Sequence, residues 1–380
     1  MFFICLTAVS SSILNCYEKF SIPAFTPAIL NIILILSVLF FSESFSEPVY
    51  ALAWGLIFAG IVQLIFVLYP LIKMDLFPKI NFNKNHPGIK KIKELMIPVI
   101  FGSSVTQVNL IFDTIIASFL ITGSISWLYM SDRFIELPLA LFGISIATVL
   151  LPKLSEYYNK KDNKSYNETI NWGLKLGILI SIPTCIGLIL LSEPILVTLL
   201  QYREFSANDV SMTSLSLIAF AFGLPGMIGA KILITNYYSR KDTSYPVRAA
   251  VIAVITNFVM NIVFVIYLTS IKFEGVHVGL ALATSVSAYI NFFLLFKNAI
   301  KTKILIVDKS IIQILAKTIL ASIIMTLFVL YFDLNANSWV NLELLDRVSK
   351  LLMIISLAAI IYFILLYALK ISPKKIKFEL

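Results

Sequence analysis

Residues 210–236, VSMTSLSLIAFAFGLPGMIGAKILITN, carry a single formal charge, Lys231, in a run long enough to cross a bilayer as a helix. A membrane strand needs only about ten residues of alternating polarity, so a run of this length reads as helix. Further apolar runs lie on both sides, at 1–15, 24–42, 49–72, 97–120, 125–151, 171–191, 246–269, 276–296, 311–332 and 351–369. The 380 residues are 59% hydrophobic and 13% charged, against roughly 25% charged in a soluble domain. Lipid offers the backbone no hydrogen bonds, so the segments that span it are helices or closed barrels. The sequence predicts an all-α integral membrane protein of about eleven transmembrane helices. The shorter, amphipathic 193–206 (EPILVTLLQYREFS) is expected to lie at the interface.

The loops orient the chain. Taken alternately, one set of loops and the C-terminal tail holds 22 Lys and Arg, and the other set holds 4. One missed or false helix would destroy that alternation. The bias places the C-terminus in the cytoplasm and, with eleven spans, the N-terminus outside. The net charge of +9 therefore reads as membrane orientation and gives no reason to expect nucleic acid. The first charged residue is Glu18, and no basic segment precedes the first run, so no signal peptide is expected. The expectation is a chain that starts partway into a longer protein. Residues 73–96, long and lysine-rich with a Pro-Gly turn at 87–88, are the expected linker between two helical lobes.

A charge within a span costs about 2.5–3.5 kcal/mol on insertion scales and usually faces a cavity or a partner. Asp113, Asp132, Arg133, Glu136 and Lys231 are such charges. Arg133 and Glu136 are three apart and share a helix face, and Pro138 loosens the helix that carries them. Arg133 is either an ion-pair partner of Glu136 or Asp113, or the ligand of an anionic substrate, since guanidinium matches phosphate with two parallel donors. Lys231 is near enough to a span end to snorkel. Asn257 and Asn261, four apart, share a face. With Thr284 and Asp113 they offer oxygen ligands to a small cation, or else hydrogen bonds between helices.

No metal-binding, phosphate-loop or nucleophile motif is present, and the loop acids are scattered, so no enzyme is expected. Cys5, Cys16 and Cys185 lack disulfide or metal spacing, and His86 and His277 read as solvated loop residues.

Residues 125–156, ISWLYMSDRFIELPLALFGISIATVLLPKLSE, end in a Leu-Pro-x-Leu-Ser signature and carry an Asp-Arg pair near the other end. Together with NCYEKFSIPAFTPAILNI at 15–32, YALAW at 50–54, QYREFSANDV at 201–210, YYSRKDTSYPVRAA at 237–250 and GLALATSVSAYIN at 279–291, this stretch resembles the MurJ (MviN) lipid II flippases of the MOP exporter superfamily. The set runs in the family's order over essentially the whole chain.

The resemblance implies a MOP/MATE-like two-lobe transporter of the bacterial inner membrane. It would move lipid II, the undecaprenyl-pyrophosphate-linked peptidoglycan precursor, by alternating access, with cell-wall synthesis proteins as further partners. It implies that 1–72 is what remains of an N-lobe lacking its first three spans, that 73–96 is the linker, that 97–300 is the C-lobe, and that 301–380 adds two spans forming a lipid-tail groove. Arg133 matches the family's cavity arginine, and Asp132 and Glu136 match its acidic neighbours. Lys231 joins them as a candidate substrate ligand. Asp113, Asn257, Asn261 and Thr284 match a sodium site proposed in some members. Asn261 stands where those members carry an acid, which removes a charge and weakens cation binding. Two rivals stay open: another exporter of the superfamily, and a membrane scaffold that does not transport.

Overall fold

The computed structural model describes residues 2–17, 19–76, 96 and 107–371. Apart from 73–76 and 96, the expected linker lies outside the described residues, and the 97–120 run is described from 107 onward. The chain divides into two units, Met1–Ile92 and Lys93–Leu380.

The first unit holds α1 (Phe2–Cys16), α2 (Ser21–Phe41) and α3 (Val49–Lys73). Leu14 of α1 and Val67 and Leu71 of α3 form its small core. No residue of α2 is buried, as suits a helix bathed in lipid rather than water. Pro27 removes the amide that would bond the Pro23 carbonyl, and the Thr26 hydroxyl donates to that carbonyl instead at 2.8 Å. Gln63 on α3 donates to the Thr26 carbonyl at 2.6 Å and ties the two helices together.

In the second unit, α4 is described over 107–118. Next come α5 (Ser124–Pro138), a π-helical turn (Leu139–Ile144) and α6 (Ser145–Asn159), which together make one continuous span. The wide turn follows Pro138, where the helix was expected to loosen. The remaining elements are α7 (Asn163–Leu190), α8 (Ser192–Leu199), α9 (Ala207–Tyr238), α10 (Ser244–Ser270), α11 (Val278–Lys301), α12 (Ser310–Val329), α13 (Ala336–Val340) and α14 (Leu344–Ala368). Local chemistry sets their ends. Asp162 caps α7 through the Ser165 amide at 3.1 Å. Ser206 and Asp209 form a reciprocal capping box at the start of α9.

Among the described residues, nine helices are long and apolar enough to cross a membrane. The two other expected spans are α1, whose 15 residues fall short of about 20, and the partly described α4.

Helix α9 is the hub of the second unit, packed by α11, α7 and α5. Gly223 lets the α11 backbone come close. A Cβ there would lie 2.7 Å from Ser285 Cα, and the Ser285 hydroxyl donates to the Ala219 carbonyl at 2.6 Å. Such small-residue contacts hold helices together where lipid supplies no hydrophobic drive. In α7, Pro183 leaves the Leu179 carbonyl without its helical donor, and Tyr362 of α14 donates its hydroxyl to it at 2.6 Å. The last spanning helix is thereby docked by a proline on another.

Two expectations need correction. His277 is fully buried at the start of α11, with its ring centroid 4.9 Å from that of Trp127 and Nε2 3.0 Å from the Met212 carbonyl. A loop position in sequence does not fix exposure, and here α5 and α9 cover the loop. Burial lowers the imidazole's pKa. The 193–206 segment does form a short helix, α8, but six of its eight residues are buried, and it packs on α9, α13 and α14. Its apolar face meets protein.

Candidate transport site

Helix α4 carries Asn109 and Asp113 one turn apart, and α10 carries Asn257 and Asn261 at the same spacing, so each pair projects from one face. The two faces meet. Asn261 Nδ2 donates to Asp113 Oδ1 at 2.6 Å and to Asn257 Oδ1 at 2.9 Å. Asn109 Nδ2 donates to Asp113 Oδ2 at 3.2 Å. Asn257 Nδ2 donates to Thr284 Oγ1 of α11 at 3.1 Å, and Thr284 donates to the Leu280 carbonyl. The result is a ladder of amides across three helices that ends on one carboxylate. Asn257 and Asn261 are buried, and Asn261 Oδ1 is left without a partner.

Beside the ladder lies a cavity of about 180 Å³, lined by Asn109, Asp113, Tyr129, Asp132 and Thr284 among others. Asp132 and Tyr129 come from α5, so the cavity brings two spans' acids to one space. Arg133, the next residue, points elsewhere. Its side chain is 52% exposed, paired at 2.5 Å with Glu136, and its guanidinium carbon lies 4.6 Å from the centre of the Tyr129 ring. The ion-pair reading thus holds for Glu136 and not for Asp113. An exposed pair of this kind contributes at most about 1 kcal/mol and leaves guanidinium donors for an anion. Lys231 is exposed on α9 and does not line the cavity.

The structure therefore gathers Asp113, Asp132, Asn257, Asn261 and Thr284 into one neighbourhood, sets Arg133 and Glu136 on an adjoining face of α5, and leaves Lys231 apart. Sequence reasoning missed Asn109 and Tyr129. Both were detectable, since each lies four residues before a charge already singled out, Asp113 and Arg133.

The family model described as "Lipid II flippase MurJ" matches residues 1–367. The chain belongs to the MurJ family. A probable lipid II flippase MurJ from Vibrio cholerae is 38% identical over 377 residues, covering 99% of this chain and 70% of the relative. Another from Haemophilus influenzae is 38% identical, covering 95% and 71%. A lipid II flippase MurJ from Burkholderia cenocepacia is 34% identical, covering 97% and 71%. The solved structure of a lipid II flippase MurJ in its inward closed conformation superposes with a TM-score of 0.76 at 30% identity, covering 96% of this chain and 70% of that one. A MOP superfamily transporter from Pyrococcus furiosus shares the fold, with a TM-score of 0.55 at 17% identity, 79% of this chain and 68% of that one covered. The MurJ fold, with its multiple membrane spans, places this chain in the bacterial inner membrane.

Proposed function

We propose that this MurJ-family chain takes part in translocating lipid II across the inner membrane by alternating access. The observation that carries the proposal is the family match along residues 1–367, supported by relatives at 38% identity named for that activity. The work is transport of an intact amphiphile, with no bond made or broken. Arg133 is the proposed ligand of the pyrophosphate. Its hold on Glu136 is exposed, and a phosphate offers the same paired acceptors with more charge. Asp132 and Glu136 would set the field around that guanidinium.

We read the ladder as poorly suited to a resident sodium ion. Both amide hydrogens of Asn261 point at the oxygens a cation would need, Asp113 Oδ1 and Asn257 Oδ1. Asn109 covers the other carboxylate oxygen. We take Asp113 to be held by amide donors in the cation's place, an arrangement that weighs against sodium coupling through these residues.

The test is lipid II binding to the purified chain. Losing one bidentate charge-assisted contact removes about 1.5–3 kcal/mol, so Arg133→Ala should weaken binding roughly tenfold to a hundredfold. Arg133→Lys should recover only part, because a point charge lacks the fork. Equal binding by Arg133→Ala would remove the pyrophosphate role, and no lipid II binding by the unaltered chain would remove the functional reading.

A further inference from the structure

A second cavity, of about 300 Å³, opens between α7, the start of α12 and the turn that ends α14. It shares no residue with the ladder cavity and none with the proposed pyrophosphate ligand. At roughly 30 Å³ per water, it has room for about ten waters or a glycerophosphate-sized headgroup.

Three lysines line it, one from each element: Lys175, Lys317 and Lys370. Among the described residues, one carboxylate pairs with one of them. Asp308 takes a hydrogen bond from Lys175 Nζ at 2.6 Å. This contact, with the Ser310 amide and hydroxyl, keeps its carboxyl well below the usual range. Lys317 Nζ donates to the Leu369 carbonyl at 2.7 Å. A lysine on the last carbonyls of a helix is a common cap, and that accounts for its position. It does not account for its charge, because a carbonyl neutralises nothing. Lys370 has no anionic partner among the described residues. Among the described residues, the cavity therefore keeps two positive charges without an anionic partner, one of them half-buried.

Its surroundings indicate the ligand. The loop bias puts the 297–309 loop and the end of α14 on the cytoplasmic side, so the cavity sits at that membrane boundary. Trp172 also lines it, an aromatic of the kind that anchors helices at headgroup depth. Ile312 and Leu315 beside it on α12 are exposed, offering an apolar surface to an acyl chain. Basic pockets between spans on this side suit lipid phosphates.

We propose that this cavity binds the phosphate of an anionic phospholipid of the cytoplasmic leaflet, with Lys317 and Lys370 as its ligands. The lipid would bridge α7, α12 and α14. The proposal does not depend on lipid II transport.

The test is thermal unfolding of the full chain in detergent, titrated with mixed micelles of phosphatidylglycerol, with phosphatidylcholine, or with inorganic phosphate. Phosphatidylglycerol should raise the melting temperature and the other two should not. Each lysine near the surface is worth about a fivefold change in affinity. Lys370→Gln, at an exposed position that leaves folding intact, should therefore weaken the phosphatidylglycerol response about fivefold. The Lys317→Gln/Lys370→Gln pair should weaken it about 25-fold, and Lys272→Gln, in a loop of the opposite set, should not change it. An equal shift from phosphatidylcholine, or an undiminished response in the double variant, would overturn the proposal. A full shift from inorganic phosphate alone would overturn the assignment to a lipid.

Discussion

Replacing Asn261 by Asp tests the amide ladder directly. The substitution is nearly isosteric, but it puts a carboxylate oxygen where Nδ2 now sits, 2.6 Å from Asp113 Oδ1. Two hydrogen bonds vanish, those to Asp113 and Asn257. Two like charges at that distance repel by about 6 kcal/mol at an effective dielectric near 20. The site cannot hold both charges bare, so the variant must take up a proton or a cation, or separate α4 from α10. The assay is thermal unfolding in detergent at alkaline pH, which disfavours a shared proton, and at constant ionic strength, with choline or sodium as the only cation. In choline, Asn261→Asp should melt well below the unaltered chain. Sodium should restore most of the loss, while the unaltered chain should respond to the two cations alike. If millimolar sodium stabilises the unaltered chain, the ladder admits a cation and our reasoning fails. It fails equally if Asn261→Asp is as stable as the parent in choline.

Three further outcomes are expected. Gly223→Ala puts a Cβ 2.7 Å from Ser285 Cα, where ordinary contact begins near 3.4 Å, so α9 and α11 must part by about 0.7 Å. Overpacking of this kind costs about 1–3 kcal/mol, readable by unfolding in denaturing detergent. Gly187→Ala, with nothing within 4 Å of the new methyl, should instead be neutral or gain up to about 1 kcal/mol of helix propensity; equal losses at both glycines would refute the packing argument. His277 is buried with Nδ1 unpartnered, and burial holds its folded pKa below the usual imidazole value of about 6.5, so the unfolded chain binds a proton that the folded chain refuses. Stability from this residue is therefore intact above about pH 6.5 and falls on acidification, by no more than about 1.4 kcal/mol per pH unit. His277→Gln should flatten that part of the pH profile, and an unchanged slope would show that other groups carry it.

The helices were legible because a span must be apolar for a fixed length, a constraint written within each segment. Facing pairs on one helix were legible for the same reason: Arg133 with Glu136, and Asn257 with Asn261, follow from spacing alone. Contacts between helices were not. Nothing near Trp127 announces that its indole donates to Asp209 at 2.7 Å, 82 positions along. The burial of His277 depends on that same meeting of α5, α9 and α11. Lys175, Lys317 and Lys370 each read alone as ordinary boundary lysines, and only tertiary packing makes them one charged cavity. For Asn261, the sequence shows that a charge is missing from the candidate cation site. The direction of its two amide hydrogens, which decides what the amide does there, comes from the neighbours.

The π turn at Leu139–Ile144 has a consequence for how this span is inherited. Before it, the buried positions run Ser131, Ile135, Pro138; they resume within it at Gly143 and continue beyond it at Ile146, Leu150 and Leu154. The step of five across the junction is one residue longer than a helical turn's usual step, and it returns both halves to a single inward stripe. Were the turn to close as regular α-helix at this length, the half that carries the Leu-Pro-x-Leu-Ser signature would be turned by about 100° against the half that carries Asp132 and Arg133. Loss of one residue between 139 and 144 would instead leave a step of four, an ordinary helical step, and both halves would keep their single inward stripe. A one-residue deletion is therefore expected to be tolerated at this turn, while the same change within either half would carry its side chains off the core.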